Sequence, residues 1–154
     1  MDEDELAIFR RRNVGMIYQF YNLIPTLTAE ENIILPWMLD GRKENRKKLD
    51  EIMKALGLTA RAGHLPGEMS GGQQQRVSIG RALINAPAFV LADEPTGNLD
   101  SKTGGEIMDL LKYSNQMFNQ TILLITHDEK IALQADRIMT MSDGKIISDE
   151  VIKR

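Results

Sequence analysis

Two continuous apolar runs, Phe89-Val90-Leu91-Ala92 and Ile122-Leu123-Leu124-Ile125, constrain this chain more than any other feature. Neither alternates with polar residues, so both read as strands covered on both faces of a parallel sheet. Val14 to Tyr18 is a third candidate, entered through a short helix over residues 6–13. Helical patterns stand between the runs. Gln73 to Ile84 carries Val77, Leu83 and Ile84, and Thr103 to Tyr113 carries Ile107, Leu110 and Leu111 at helical spacing. Helix alternating with apolar strand predicts an α/β fold around a parallel sheet. Arg137–Met141 and Lys145–Ser148 flank Ser142-Asp143-Gly144, whose Asp-Gly pair signals a two-residue hairpin.

Residues 20–60 are mixed and predict one helix. The charge run at 42–48 reads either as a site for an anionic partner or, as we take it, as the solvated face of a helix that runs to Leu56 and ends at Gly57. Composition removes other classes. There is no cysteine, which excludes disulfides, thiolate chemistry and Cys-based zinc sites. The only histidines are His64 and His127, so a His-rich metal site is excluded too. A net charge of −3 argues against a nucleic-acid module. No apolar run approaches the roughly 18 residues of a membrane span. The acidic start, Met1-Asp2-Glu3-Asp4-Glu5, is the opposite of a secretory signal. With aromatics at 5%, the core is expected to be aliphatic, and the nine methionines read as core filling.

Four clusters can carry chemistry. Ser70 followed by Gln73 reads as a capping box. With Gly71 and Gly72 inside the cap, the same stretch reads as an anion site, bare backbone N–H groups at the positive end of a helix. Asp93 and Glu94 end a predicted strand at the edge where open α/β sheets bind ligands. They are either loop acids that cap the next helix or a Mg²⁺ ligand beside a group that orients an attacking water. His127 ends the next strand and is either a capping histidine or a donor to a phosphate oxygen. Gln19 also ends a strand, and its amide can reach a metal-bound water. His64, in a Gly/Pro-rich loop, reads as surface.

Order and spacing change the weight of these pieces. Gln19, then Ser70-Gly71-Gly72-Gln73, then Asp93-Glu94, then Gly97-Asn98-Leu99-Asp100, then His127 resembles the nucleotide-binding domain of ATP-binding-cassette (ABC) transporters. The likeness runs from about Leu6 to Asp149. It implies that Gln19 is the family's Q-loop glutamine and that Ser70 to Gln73 is its signature motif, with Met69 where leucine is usual. It implies that Asp93 is the metal-binding Walker B aspartate and Glu94 the catalytic glutamate. Gly97 to Asp100 would be the D-loop, with Asp100 facing nucleotide, and His127 the switch histidine. Phe20-Tyr21-Asn22-Leu23-Ile24-Pro25 makes the chain look most like the lipoprotein-release, macrolide-export and antimicrobial-peptide-export branch.

The family's phosphate loop, G-x-x-x-x-G-K-[S/T], does not occur in these residues. The chain therefore looks like the C-terminal two-thirds of such a domain. The resemblance implies a RecA-like core from residues 1–19 and 81–154 with a helical lobe from residues 20–80. It implies ATP and Mg²⁺ as cofactors, a second nucleotide-binding domain and a transmembrane permease as partners, and a place on the cytoplasmic face of the bacterial plasma membrane. The chain alone is expected to hydrolyse no ATP. The alternative is a non-catalytic binding or assembly module that keeps the signature face; a reading frame extending upstream through a phosphate loop would favour the ATPase, a genuine start at Met1 the module. In the implied sheet, Val14–Gln19, Phe89–Asp93 and Ile122–Thr126 lie in that order. The strand that would follow is the one leading into the phosphate loop. The edge of Ile122–Thr126 is thus expected to be filled either by Arg137–Met141 moving over or by strand exchange or edge pairing with a second molecule.

Overall fold

The computed structural model describes residues 2–152; Met1 and the last two residues, which belong to the expected core segments, lie outside the described residues. The chain divides into two compact units, one up to Leu124 and one from Ile125.

In the first unit, helix α1 (Glu3–Asn13) leads into strand β1 (Val14–Ile17). The helix starts three residues earlier than the apolar pattern predicts, because Asp2 and Glu5 form a capping box, with each side chain accepting from the other's backbone N–H at 2.8 and 3.0 Å. Its acids sit in the first turn and its arginines in the last, matching the helix dipole. Strand β1 pairs in parallel with β2 (Phe89–Asp93), Val14 opposite Phe89 and Ile17 opposite Ala92. With β3 (Thr121–Ile125) they form a three-stranded sheet in the order β1-β2-β3, the order expected.

Two helices, not one, occupy residues 20–60: α2 (Ala29–Leu39) and α3 (Arg46–Ala55). The first was hidden from periodicity because it is apolar nearly all round and contains Pro36. Thr28 and Glu31 form its capping box. Fully buried Asn32 knits the preceding loop to it, donating to the carbonyls of Ile24, Leu27 and Thr28 and accepting from Ile24 N–H at 2.8 Å. The second buries Leu49, Ile52 and Met53, turns its charges to water and closes at Gly57, whose φ of +66° suits glycine. The charge run is thus the solvated face expected, and Arg46 in it pairs with Glu30 and Asp50.

Helix α4 (Gly71–Leu83) is the spine of this unit, packing on α2 and on β1. Its approach to β1 is close. A Cβ on Gly15 would stand 2.6 Å from the Ala82 carbonyl oxygen, nearer than any side chain tolerates. The boundary expected at residue 80 falls inside this unbroken helix. After β2, α5 (Ser101–Phe118) buries Ile107, Met108 and Leu111 and ends at left-handed Asn119. The core is aliphatic apart from Trp37.

The second unit holds the short helix α6 (Glu129–Ala132) and the hairpin of β4 (Arg137–Ser142) and β5 (Lys145–Val151). Its turn residues, Asp143 and Gly144, both have positive φ, as the predicted two-residue turn demands. A bidentate Arg137–Asp149 pair spans the strands.

Three expectations need correction. The run at Ile122–Ile125 is not covered on both faces: β3 lies at the end of the sheet order, none of its residues is buried, and Leu123 and Ile125 are 48% and 59% exposed. Only Val90 and Ala92 of β2 are buried. Arg137–Met141 does not move beside Ile122–Thr126. Its paired neighbour is β5, held by the tight turn, so β4 and β5 make a sheet of their own. Among the described residues, methionine fills the core only at Met53, Met69 and Met108; Met38, Met117, Met139 and Met141 are exposed.

Candidate functional site

Because β1 and β2 run parallel, the residues leaving their C-terminal ends emerge on one edge of the sheet. Gln19 follows β1, and Asp93 with Glu94 closes β2. Gln19 is tied to the loop after Glu94 through Asn98. Asn98 donates to the Gln19 carbonyl at 3.0 Å, and the Gln19 side chain donates to Asn98 Oδ1 at 3.4 Å. Gly97 makes room for this, since a Cβ there would stand 2.7 Å from Gln19 Nε2.

Helix α4 opens on the same neighbourhood. Ser70 caps it, accepting from Gln73 N–H at 3.3 Å while Gln73 Oε1 accepts from Ser70 N–H at 3.0 Å, so the capping-box reading holds in full. The two glycines do a second job. A Cβ on Gly71 would lie 2.8 Å from the Tyr21 hydroxyl, and one on Gly72 only 2.5 Å from Thr103 Cγ2. They let the helix start press against the loop after Gln19 and against the first turn of α5. Thr103 in turn donates its hydroxyl to Asp100 Oδ2 at 2.6 Å. Asp100 caps α5 through Lys102 and Thr103 N–H, and the Thr103 hydroxyl bond holds its carboxyl below the usual carboxylate range. Gln19, Ser70 to Gln73, Asp93, Glu94 and Asp100 are thus carried by neighbouring loops and helix starts of one unit. His127 stands in the other unit, exposed, two residues beyond β3, where Asp128 caps α6. His64 is half-buried rather than surface: its ring meets Arg61 at 3.0 Å and its carbonyl accepts from Ala29 N–H.

The backbone is held in unusual states at this edge. Glu94 has φ +45° and Tyr21 and Asn22 have φ +62° and +48°, a left-handed conformation that costs a non-glycine residue about 1–2 kcal/mol. Side chains of α4 hold both places. Arg81 donates to the Tyr21 and Asn22 carbonyls at 2.8 and 2.6 Å, and its burial lowers its pKa. Gln75, fully buried, donates to the Pro95 carbonyl at 2.6 Å and to the Tyr18 carbonyl at 3.4 Å. Sequence reasoning missed Gln75, Arg81 and Thr103, and named Asn98 and Tyr21 only as parts of motifs. The one signal for the first two is a polar residue breaking the apolar side of α4. Beside Tyr18 and Asn22 a cleft of about 320 Å³ opens between β1, α2 and α4, with Leu35, Leu39 and Arg81 on its walls.

Among the described residues no three His, Cys, Asp or Glu side chains gather into a metal cage. The donors present fit Mg²⁺ instead, which takes one or two carboxylates and completes its shell with water and phosphate oxygens. Asp93, exposed at the end of β2, is such a carboxylate.

This parallel sheet edge, with an acid pair on one strand, a glutamine on its neighbour and a glycine-opened helix beside both, defines a nucleotide-handling α/β domain of the RecA-like class. Comparison with known proteins is more specific. The family model described as ABC transporter matches residues 2–97. The chain belongs to the ABC transporter family. It is 48% identical over 151 residues to the macrolide export ATP-binding/permease protein MacB of Brucella melitensis, covering 97% of this chain and 23% of that protein. It is 47% identical over 156 residues to the ABC transporter ATP-binding protein MJ1508 of Methanocaldococcus jannaschii, covering 100% of this chain and 68% of that one. A solved structure described as a dimeric post-hydrolysis state of the ATP-binding cassette MJ0796, bound to ADP and Pi, superposes with a TM-score of 0.86 at 43% identity, covering 100% of this chain and 69% of that one. The chain thus spans about a quarter of the length of the MacB relatives it matches. No helix of the described residues is long and apolar enough to cross a membrane.

Proposed function

We propose that these residues are the greater part of the ATP-hydrolysing domain of an exporter, with a RecA-like core over 1–19 and 81–154 and a helical lobe over 20–80. The observation that carries the reading is the convergence of Gln19, Asp93 and Glu94 at one sheet edge, tied to the Ser70 helix start. Asp93 and Gln19 hold Mg²⁺, which when bound neutralises charge on the phosphates. Glu94 takes the proton of the attacking water, and Gln19 and His127 orient that water and the terminal phosphate. Ser70, Gly71, Gly72, Gln73 and Asp100 face the nucleotide of a second domain, as the dimeric form described for MJ0796 suggests. A permease docks at the cleft beside Tyr18, on the cytoplasmic face of the bacterial plasma membrane; the name of MacB supports both export and a permease partner. The exposed apolar edge of β3 pairs with a strand of a second molecule when the chain stands alone.

Phosphoryl transfer depends on a cradle for the β- and γ-phosphates that these residues lack. The chain alone is therefore expected to release no phosphate. Joined behind a segment carrying a phosphate loop, it turns over ATP, and Glu94→Gln lowers kcat by about 100-fold or more. Steady release by the chain alone that Glu94→Gln abolishes, or full turnover by the joined Glu94→Gln variant, would count against the reading.

A further inference from the structure

One buried side chain stands behind Gln19 and Glu94, which the ATPase reading places at the attacking water. Gln75 lies one turn into α4 and is fully buried. Its Nε2 is shared between the carbonyl of Tyr18, the residue before Gln19, and the carbonyl of Pro95, the residue after Glu94. Its Oε1 has no partner. Turning the amide over would face oxygen to both carbonyls, so the orientation is set by chemistry. Leaving a buried acceptor unpaired is destabilising. A leucine or methionine at this position would avoid that cost and fill the space, so the gain must come from the donor side.

The donor side closes a ring. From Pro95 the chain passes back to left-handed Glu94, whose carbonyl accepts from Gly97 N–H at 3.0 Å. Next to Gly97, Asn98 exchanges bonds with Gln19, which returns through Tyr18 to Gln75. The ring contains both Gln19 and Glu94, and its only member on α4 is Gln75. Five residues before it on that helix is Ser70, whose cap is the proposed contact with a second domain's nucleotide.

We propose that Gln75 is a positioning residue: its buried amide ties the start of α4 to the backbones on either side of Gln19 and Glu94, so that a load on the Ser70 helix start is felt at the water-positioning pair. The proposal deepens the ATPase reading and rests on it for the roles of Gln19 and Glu94; the link itself rests on geometry. It predicts that the helix start and the acid loop move together, and that the coupling is lost with the Gln75 amide although the fold is kept.

The test is hydrogen exchange and chemical shift, followed by NMR on the full labelled chain. In the wild type, the Gln75 side-chain amide exchanges at least about tenfold more slowly than that of exposed Gln116. In Gln75→Met, which keeps length and packing, Gly97 N–H exchanges about tenfold faster while Ile79 and Val90 keep their wild-type rates. The control is Gln120→Met. Gln120 is also buried, also has an unpaired Oε1 and also donates to a proline carbonyl, that of Pro87 at 2.9 Å. This variant leaves Gly97 unchanged, which separates positioning from the general loss of a buried amide. Titration with pyrophosphate alone, without the Mg²⁺ that would bind directly beside Gly97, adds the coupling. Shifts at Gly71 and Gly72 are accompanied by shifts at Gly97 in wild type and not in Gln75→Met. An unchanged Gly97 rate in Gln75→Met, or shifts that still reach Gly97 in that variant, overturns the proposal. So does a Gln75 amide that exchanges as fast as Gln116, a wild-type measurement that holds if the methionine variant fails to fold. Absence of any shift at Gly71 and Gly72 sinks the anion-site part of the ATPase reading instead, and the exchange rates still decide the link.

Discussion

Both units contain well-formed strands, but they end differently. Up to Leu124, Ile17, Ile33, Leu49, Ile79 and Val90 are all fully buried. From Ile125 to Ile152 no residue is buried, although Met141, Ile146, Ile147 and Val151 lie in well-formed strands and are each more than half exposed. The hairpin has what local rules ask for: a left-handed Asp-Gly turn, an antiparallel register and a bidentate ion pair. Turn chemistry and pairing suffice to shape a hairpin, but a core needs a second layer, which α4 supplies to α2 and β1 within the first unit.

Six substitutions, in four tests, bear on that contrast. The largest effect is expected at Gly15. Valine there meets the Ala82 carbonyl, part of the α4 backbone, at 2.6 Å, so helix and strand must separate. Overpacking against backbone costs about 3 kcal/mol or more, and Gly15→Val is expected to abolish the cooperative urea transition of the first unit. A transition midpoint within error of wild type would show that the close approach is dispensable.

Next comes a matched pair. Ile33→Ala, in the wall between α2 and α4, is expected to cost about 2–5 kcal/mol, and Ile146→Ala, on the open hairpin, at most about 0.5 kcal/mol. Equal losses in chemical denaturation would mean that the hairpin face is covered in solution. Leu123→Lys addresses the edge between the two regions. If the exposed edge of β3 pairs between molecules, sedimentation velocity shows wild type associating with concentration and the lysine variant staying monomeric. A wild type that stays monomeric throughout removes the edge-pairing proposal.

The smallest effect concerns two arginine-paired aspartates. The Arg12 guanidinium beside Asp40, helped by Arg42, holds that carboxyl below the usual range, and Arg137 does the same to Asp149. Both folded values lie below the unfolded one. Each pair therefore contributes fully above about pH 4, and the contribution is lost as pH falls through the folded value. Asp40 is almost wholly enclosed by three arginines that join α1 to the end of α2, whereas Asp149 stands open to water. Asp40→Asn should flatten the acid limb of the stability curve between pH 4 and pH 2, while Asp149→Asn should leave it close to wild type. Coincident acid limbs for the two variants would show that enclosure adds nothing.

Much of this was legible in the residues. The hairpin turn, the cap at Ser70 and the acids at the end of β2 follow from short-range rules, because capping, turn chemistry and strand ends depend on neighbours a few positions away; the order of strands came with the family resemblance. Helix α2 was missed because Pro36 and an apolar residue on nearly every side erase its stripe; only the Thr28 and Glu31 capping box marks it. At the site, Asp93, Glu94 and Gln19 stand at strand ends and could be read. The role of Gln75 could not, nor could the bond of Asn98 to Gln19, because the partners lie 57 and 79 residues away in the chain.

The sequence by itself determined the α/β class and the family, since both are written in local spacing. The tertiary structure decided which apolar runs are covered, why Gly71 and Gly72 must be glycine, and which buried amide bonds to the backbones beside Gln19 and Glu94. Those outcomes depend on close approaches between segments far apart in the chain, and packing at 2.6 Å leaves no trace in the spacing of residues along it.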